Sequence, residues 1–160
     1  MSSTDRTDTA SIVIADVQVT DVFRAFVDPE SVMAWLPPGN MSGRALEYEF
    51  HEGGRYRIEL TYAGDAQTSP GKTTGRTDVS GGRFLAVEPG KRVVQSVEFE
   101  SDDAAFAGEM RLTWSFEAVR GGTRVSVTAE NVPSGITEAD HQAGLRSSLD
   151  NLARFLVGAG

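Results

Sequence analysis

The chemistry that this sequence could perform depends on a few polar side chains at positions predicted to face inward. His141 lies four residues before Leu145 and continues an apolar stripe of helical spacing through Leu149, Leu152 and Leu156. A histidine there could hydrogen-bond to a ligand or act as an acid or base, because imidazole titrates near neutral pH. The same position also suits a histidine that caps the helix or bonds to a backbone carbonyl in the core.

Gln95 is the second polar side chain of this kind, because it lies between Val93 and Val97 on a predicted strand. A polar group on a buried face needs a partner, which could be a ligand, a water molecule or a neighbouring strand or loop. Trp35 could form the mouth of a cavity or plug the core. Trp114 is predicted to lie in the floor of the core.

Composition excludes several classes of site. The two histidines are too few for a histidine-rich metal centre, since His51 is predicted to face outward. The lack of cysteine excludes a thiol nucleophile, a disulfide and a cysteine zinc site. The stretch SPGKTTG contains Gly-Lys-Thr but lacks the first glycine of a phosphate-binding loop. The sequence therefore predicts no metal, no cofactor and no catalytic residue that spacing alone can assign.

Charge and hydropathy limit the partners. The formal net charge of −8 weighs against nucleic-acid binding, which needs a basic surface. No apolar run approaches the roughly 20 residues of a membrane span. The polar residues 1–10 lack the apolar core of a signal peptide and are predicted to form a disordered tail. We expect a cytoplasmic protein with a single domain over residues 11–158.

Periodicity predicts the elements that position these side chains. A β-branched run over residues 11–19 predicts a strand. Asp28 is predicted to cap a second short helix with Pro29 at its first position, and the proline pair 37–38 ends it. A first short helix, between the strand and the helix capped by Asp28, would place four apolar residues on one face: Val22, Phe23, Phe26 and Val27.

Alternation then predicts a hairpin over residues 46–62. A three-residue loop, Glu52–Gly54, would pair Phe50 with Tyr56 and keep both on the apolar face. Gly54 would then take the left-handed position that such loops require. By the same argument Tyr48 would pair with Ile58.

A second hairpin is predicted over residues 112–129. A two-residue Gly121–Gly122 turn would pair Trp114 with Ala129. Between the hairpins, two further strands are predicted to join at residues 88–91, and residues 63–75 are predicted to form a loop.

The order of these elements predicts an α+β fold with about six antiparallel strands before a long final helix. The last helix is the only predicted element long enough to cover the apolar face of the sheet. A tightly packed interface would favour large residues on the helix. Gly144 and His141 therefore suggest that the helix leaves space near its N-terminal half.

Three stretches carry a resemblance to a known family: DVFRAFVDPESVMAWLPPG, FHEGGRYRIEL and DHQAGLRSSLDNLARFL. They resemble the START-like (SRPBCC) helix-grip proteins, and more narrowly the stand-alone bacterial relatives of the activator of heat-shock protein 90 ATPase. The resemblance covers residues 11–156 and implies a curved sheet of six to seven strands wrapped around the C-terminal helix. It also implies a cavity that commonly holds an apolar ligand. Leu145 and Ala34 stand where the family often has tryptophan, which would change the shape of that cavity.

Pattern and resemblance together predict a binding module for a small apolar or amphipathic ligand between the sheet and the final helix. One alternative is an enzyme that uses the cavity for cyclisation or hydrolysis. Another is an interaction protein like the chaperone ATPase activator, which an exposed apolar face would favour, as it would a homodimer. The residues predicted to line the cavity are Trp35, Tyr48, Phe50, Tyr56, Ile58, Gln95, Trp114, His141 and Leu145.

Overall fold

The computed structural model describes residues 6–39, 41–62 and 77–158. The loop predicted over residues 63–75 lies outside the described residues. A short 3₁₀ helix, Ala104–Phe106, precedes the last two strands. The other elements, in chain order, are β1 (Thr7–Ala15), α1 (Val19–Val27), α2 (Pro29–Trp35), β2 (Met41–Tyr48), β3 (Arg55–Tyr62), β4 (Thr77–Glu88), β5 (Arg92–Phe99), β6 (Met110–Val119), β7 (Gly122–Glu130) and α3 (Glu138–Gly158).

The described strands form one antiparallel sheet in the order β1-β7-β6-β5-β4-β3-β2. The sheet curls into a half-barrel. The long helix α3 packs against β1 and against α1 and α2. The Thr137 hydroxyl caps α3 by accepting a hydrogen bond from the backbone N–H of Asp140 at 3.1 Å. The predicted α+β helix-grip fold is confirmed.

Strand β1 begins earlier than the sequence predicts. Thr7 pairs with Glu130 and Ala15 with Gly122, so residues 7–10 belong to the sheet rather than to a disordered tail. The strand also ends earlier than predicted, because Asp16 adopts a left-handed φ of 61° that turns the chain toward α1. Residues 1–5 lie outside the described part of the chain.

The second short helix, α2, follows the capping signal in the sequence. The Asp28 carboxylate accepts a hydrogen bond from the backbone N–H of Glu30 at 3.0 Å, and Pro29 occupies the first helical turn of α2. Helix α1 buries Val22 and Phe26. Val27, predicted to share their face, is 48% exposed, because the helix ends there and turns into α2.

The first hairpin keeps Tyr48 on the predicted face but not in the predicted register, and Leu46, two residues earlier, is 37% exposed rather than turned inward with it. Tyr48 lies opposite Tyr56, so the pairing differs by two residues from the predicted Phe50–Tyr56 pair. A longer connection joins β2 to β3, and a bulge between Ala45 and Glu47 shifts the pairing further along the strand. The left-handed glycine is Gly53, with φ 85°, and not Gly54.

The second hairpin is shifted in the same way. Val119 pairs with Gly122, so the turn has the predicted length but consists of Arg120 and Gly121. Trp114 consequently lies opposite Val127 instead of Ala129. The remaining predicted connection is confirmed, since β4 ends at Glu88 and β5 begins at Arg92.

Candidate functional site

A cluster of four aromatic rings lies between the short helices and the sheet. Phe26 of α1 occupies its centre, with ring centroids 4.9 Å from Trp35, 5.4 Å from Trp114 and 5.4 Å from Phe116. The two tryptophan rings meet edge to face at 5.5 Å. Such tilted and edge-on contacts are the arrangements that aromatic quadrupoles favour, so the cluster forms a closely packed wall.

This wall borders a small cavity in the interior of the fold. Its volume is about 20 Å³, which is enough for one water molecule. Helices α1 and α2 form one side and strands β2 to β6 the other, with no contribution from α3. The lining residues are Phe26, Val32, Trp35, Leu36, Tyr48, Ile58, Phe84, Gln95 and Trp114.

Some of the predicted site residues line this cavity and others do not. Those at the cavity are Trp35, Tyr48, Ile58, Gln95 and Trp114. Phe50 stacks on Tyr48 at 5.9 Å and meets Phe84 edge to face at 5.0 Å, so it supports the wall from behind. Tyr56 packs against Phe84 at 5.2 Å. Leu145 is buried on α3, away from the lining.

Gln95 finds its partners within the sheet. Its Oε1 accepts a hydrogen bond from Trp114 Nε1 at 2.8 Å, which is the bond to a neighbouring strand considered above. A further hydrogen bond links the Gln95 side chain to the Tyr56 phenol and lowers the pKa of that group, although burial has the larger effect and raises it. Gln95 is the hydrogen-bonding amide of an otherwise apolar and aromatic cavity.

The phenol and indole donors around the cavity are directed at backbone carbonyls. The Tyr48 hydroxyl donates to the carbonyl of Phe26, and Trp35 Nε1 donates to Ala25 at 3.0 Å. Burial, reinforced by the negative charge of Asp28, raises the pKa of Tyr48 above its usual range. The phenol therefore remains protonated at neutral pH and acts as a structural donor rather than a base.

His141 faces inward as predicted but does not line the cavity, contrary to the prediction from the sequence. Its Nδ1 lies 2.7 Å from Oδ2 of Asp8, and Arg6 Nη2 lies 3.1 Å from the same oxygen. The Asp8 side chain is 1% exposed and that of His141 is 13% exposed. A carboxylate buried this deeply needs hydrogen-bonding or charged partners, and the first turns of α3 supply one of them.

Arg6 and Asp8 were not identified from the sequence because both lie in the predicted tail. A signal for Asp8 was present, since it alternates in phase with Ala10, Ile12 and Ile14. The cluster of Arg6, Asp8 and His141 ties β1 to α3 and is structural.

Gly144 has open space beside it. A Cβ built on this residue would meet no atom within 4 Å, so close approach of a strand backbone does not explain the glycine. The space is not part of the cavity described above.

Replacing Gly144 with alanine should therefore raise the free energy of unfolding by about 1 kcal/mol, the difference in helix propensity. Urea denaturation followed by circular dichroism measures this change. The reverse substitution at the exposed neighbour Ala143 is the matched control and should cost a similar amount. A lower stability for Gly144→Ala would show that the space is filled.

A second space lies on the surface where β1 passes into α1. It is a groove of about 510 Å³, open to solvent, and its lining includes Asp16, Gln18 and Thr123. The buried Thr123 hydroxyl donates to the Val17 carbonyl at 2.6 Å and is thus committed to the fold. The enclosed aromatic cavity is the better candidate site, because its single amide faces apolar walls.

The described residues contain no group of three or more histidine, cysteine or acidic side chains that could hold a metal ion. Within the same part of the chain, no helix is long and apolar enough to cross a membrane.

The family model for Activator of Hsp90 ATPase homolog 1-like proteins matches residues 16–157. The chain belongs to this family. No curated protein sequence matches it. The match confirms the family assignment that the sequence resemblance suggested.

Solved structures show the same fold as this Hsp90 ATPase activator homolog 1-like chain. Protein CV1439 from Chromobacterium violaceum is 29% identical with a TM-score of 0.79, over 94% of this chain and 96% of that one. A protein from Rhodobacter sphaeroides is 20% identical with a TM-score of 0.76, over 99% and 96%. DynU16, from the dynemicin biosynthetic locus, is 20% identical with a TM-score of 0.68, over 98% of this chain but 49% of its own.

Proposed function

We propose that this protein binds a small apolar or amphipathic molecule in the cavity between the sheet and helices α1 and α2. The observation that carries the proposal is the composition of the cavity wall, where aromatic and aliphatic side chains surround the one amide of Gln95. Ligand pockets characteristically combine apolar walls with a few orienting polar groups.

The volume of about 20 Å³ means that a ligand must displace part of the wall. Helix α2 is the part best suited to move, because it is a single short segment, whereas the opposite wall consists of hydrogen-bonded strands. Three lining residues belong to α2 and its end: Val32, Trp35 and Leu36.

The end of α2 is held to α3 by hydrogen bonds that can be exchanged. Ser148 Oγ donates to the Leu36 carbonyl at 2.6 Å, and Asn151 Nδ2 donates to the Pro37 carbonyl at 3.0 Å. Neutral hydrogen bonds of this kind contribute only about 0.5–1.5 kcal/mol each. The burial of a ligand's apolar surface can therefore compensate for their loss. Displacement of α2 would enlarge the cavity without breaking the sheet.

A catalytic role has less support. The cavity lining described here contains no carboxylate, imidazole or amine that could act as an acid or base. A chaperone-activating role rests on the family description alone. A homodimer stays a prediction that light scattering can test.

Tryptophan fluorescence gives a direct test, because both tryptophans of the chain, Trp35 and Trp114, line the cavity. We expect the apolar dye N-phenyl-1-naphthylamine to bind saturably with one site per chain and to receive excitation energy from the tryptophans. Absence of saturable binding would refute the proposal.

Ile58→Phe is the diagnostic variant, since the added bulk enters a space of only about 20 Å³. It should weaken dye binding at least tenfold while the protein stays folded, because overpacking costs about 1–3 kcal/mol. Val13→Phe is the matched control: Val13 lies on the outer face of β1 and is 51% exposed. Equal effects of both variants would place the dye outside the cavity.

A further inference from the structure

Building on the proposed binding function, we infer that the ligand is an uncharged molecule that presents a hydrogen-bond acceptor, such as a carbonyl oxygen, to the side-chain amide of Gln95.

Trp114 determines the orientation of the Gln95 amide. An indole N–H can only donate, so the Gln95 atom that lies 2.8 Å from Trp114 Nε1 must be the oxygen. Val93 pairs with Trp114 in the sheet, which makes Gln95 and Trp114 diagonal neighbours on one face. The amide nitrogen, which carries two N–H groups, consequently lies on the side of the amide group that is turned away from Trp114 Nε1.

Other polar donors near the cavity are committed to the protein. Trp35 Nε1 donates to the Ala25 carbonyl, and the hydroxyls of Tyr48 and Tyr56 donate to the carbonyls of Phe26 and Ser96. The Tyr56 oxygen can accept one of the two N–H groups of Gln95. Among the described residues, the second N–H of Gln95 is the donor that remains for a ligand.

The surroundings disfavour a charged ligand. No lining residue carries a charge that could pair with a buried carboxylate or ammonium group, and an unpaired buried charge is very costly. Asp28 adds negative potential at Tyr48, and Glu109 does so at Tyr56, which opposes anions in particular. A fatty acid carboxylate is therefore a poor fit, whereas a neutral ketone, ester or ether satisfies the free N–H.

The test compares three ligands of similar size by displacement of N-phenyl-1-naphthylamine: 2-octanone, n-octane and octanoate. We expect 2-octanone to bind most tightly, about tenfold better than octanoate. If octanoate or n-octane binds as well as the ketone while the dye still binds, the inference on ligand class is overturned and the binding function stands. If neither the dye nor any of the three compounds binds, the proposed function itself fails.

Gln95→Glu separates the role of the amide from general packing. Glutamate keeps an acceptor for the Trp114 N–H but, at a pH at which its carboxyl is ionised, has no donor, so the affinity for 2-octanone should then fall about tenfold and that for n-octane should stay within twofold. Gln142→Glu, on α3 and outside the cavity lining, controls for the added negative charge. An unchanged 2-octanone affinity in a folded Gln95→Glu protein, shown by an unchanged circular dichroism spectrum, would overturn the inference.

Discussion

Replacing Asp8 with alanine should lower the free energy of unfolding by about 3 kcal/mol. The Asp8 side chain is 1% exposed and accepts hydrogen bonds from both Arg6 and His141. Removing one partner from a buried charged cluster typically costs about 3–5 kcal/mol. We expect the lower end of this range, because the Arg6 side chain is 25% exposed and can regain water.

Urea denaturation of Asp8→Ala, His141→Ala and the double variant measures this effect. The double variant should lose less than the sum of the single changes, since the two residues interact directly. His51→Ala is the control, because His51 is the other histidine of the chain and is exposed, and it should change stability by less than about 0.5 kcal/mol. If Asp8→Ala behaved like His51→Ala, the cluster would not hold β1 to α3.

The same variants separate the cluster from the binding site. His141 is hydrogen-bonded to Asp8 and does not line the cavity. His141→Ala should therefore destabilise the fold and leave the affinity for the dye unchanged. This expectation reverses what the position of His141 on the helical stripe suggested. Periodicity indicated correctly that the side chain faces inward, but it could not identify the partner, which lies 133 residues away in sequence.

The hairpins show what alternation can and cannot predict. The register of the second hairpin differs from the expected one by two residues, and a shift of two leaves every side chain on its original face. In the first hairpin the bulge between Ala45 and Glu47 adds a one-residue shift, so Leu46 turns outward while Tyr48 keeps its face. The apolar pattern therefore predicted the buried faces of Tyr56, Ile58 and Trp114 without distinguishing between the two registers. The register is determined by the residues of the turn.

Non-local contacts explain why the paired glycines misled the choice of turn. Gly121 supplies the left-handed φ of the second turn, at 85°. Gly122 is needed for a different reason, because a Cβ there would lie 2.1 Å from the carbonyl oxygen of Ile14 on the adjacent strand β1. The sequence of the hairpin alone contains no information on that neighbour.

The position of the cavity depends on the same kind of contact. From the sequence, Gly144 indicates a space between the sheet and the last helix. The glycine does border open space, yet the cavity lies against α1 and α2. The Asp-Pro cap and the proline pair correctly predicted α2 itself, but its packing over Trp114 and Gln95 follows from the curvature of the sheet, which no local pattern encodes.

Trp114→Ala should have the largest effect of all, a loss of about 3–5 kcal/mol in the free energy of unfolding. The indole is 1% exposed, meets Phe26 and Trp35 edge to face, and its N–H is bonded to Gln95.

The loss of stability in Trp114→Ala shows how closely the residues around the cavity are packed. A wall that already faced empty space would lose fewer contacts, whereas the wall here borders only about 20 Å³ and should lose the full amount. Guanidinium denaturation measures the change, with Leu85→Ala as the control, since Leu85 is 42% exposed and should stay within about 0.5 kcal/mol. Added indole should then raise the melting temperature of Trp114→Ala and not of the parent protein, because an apolar void left by truncation can bind an apolar molecule of matching shape. A loss below about 1 kcal/mol would mean that the cavity is already open in solution and that a ligand can enter without moving α2.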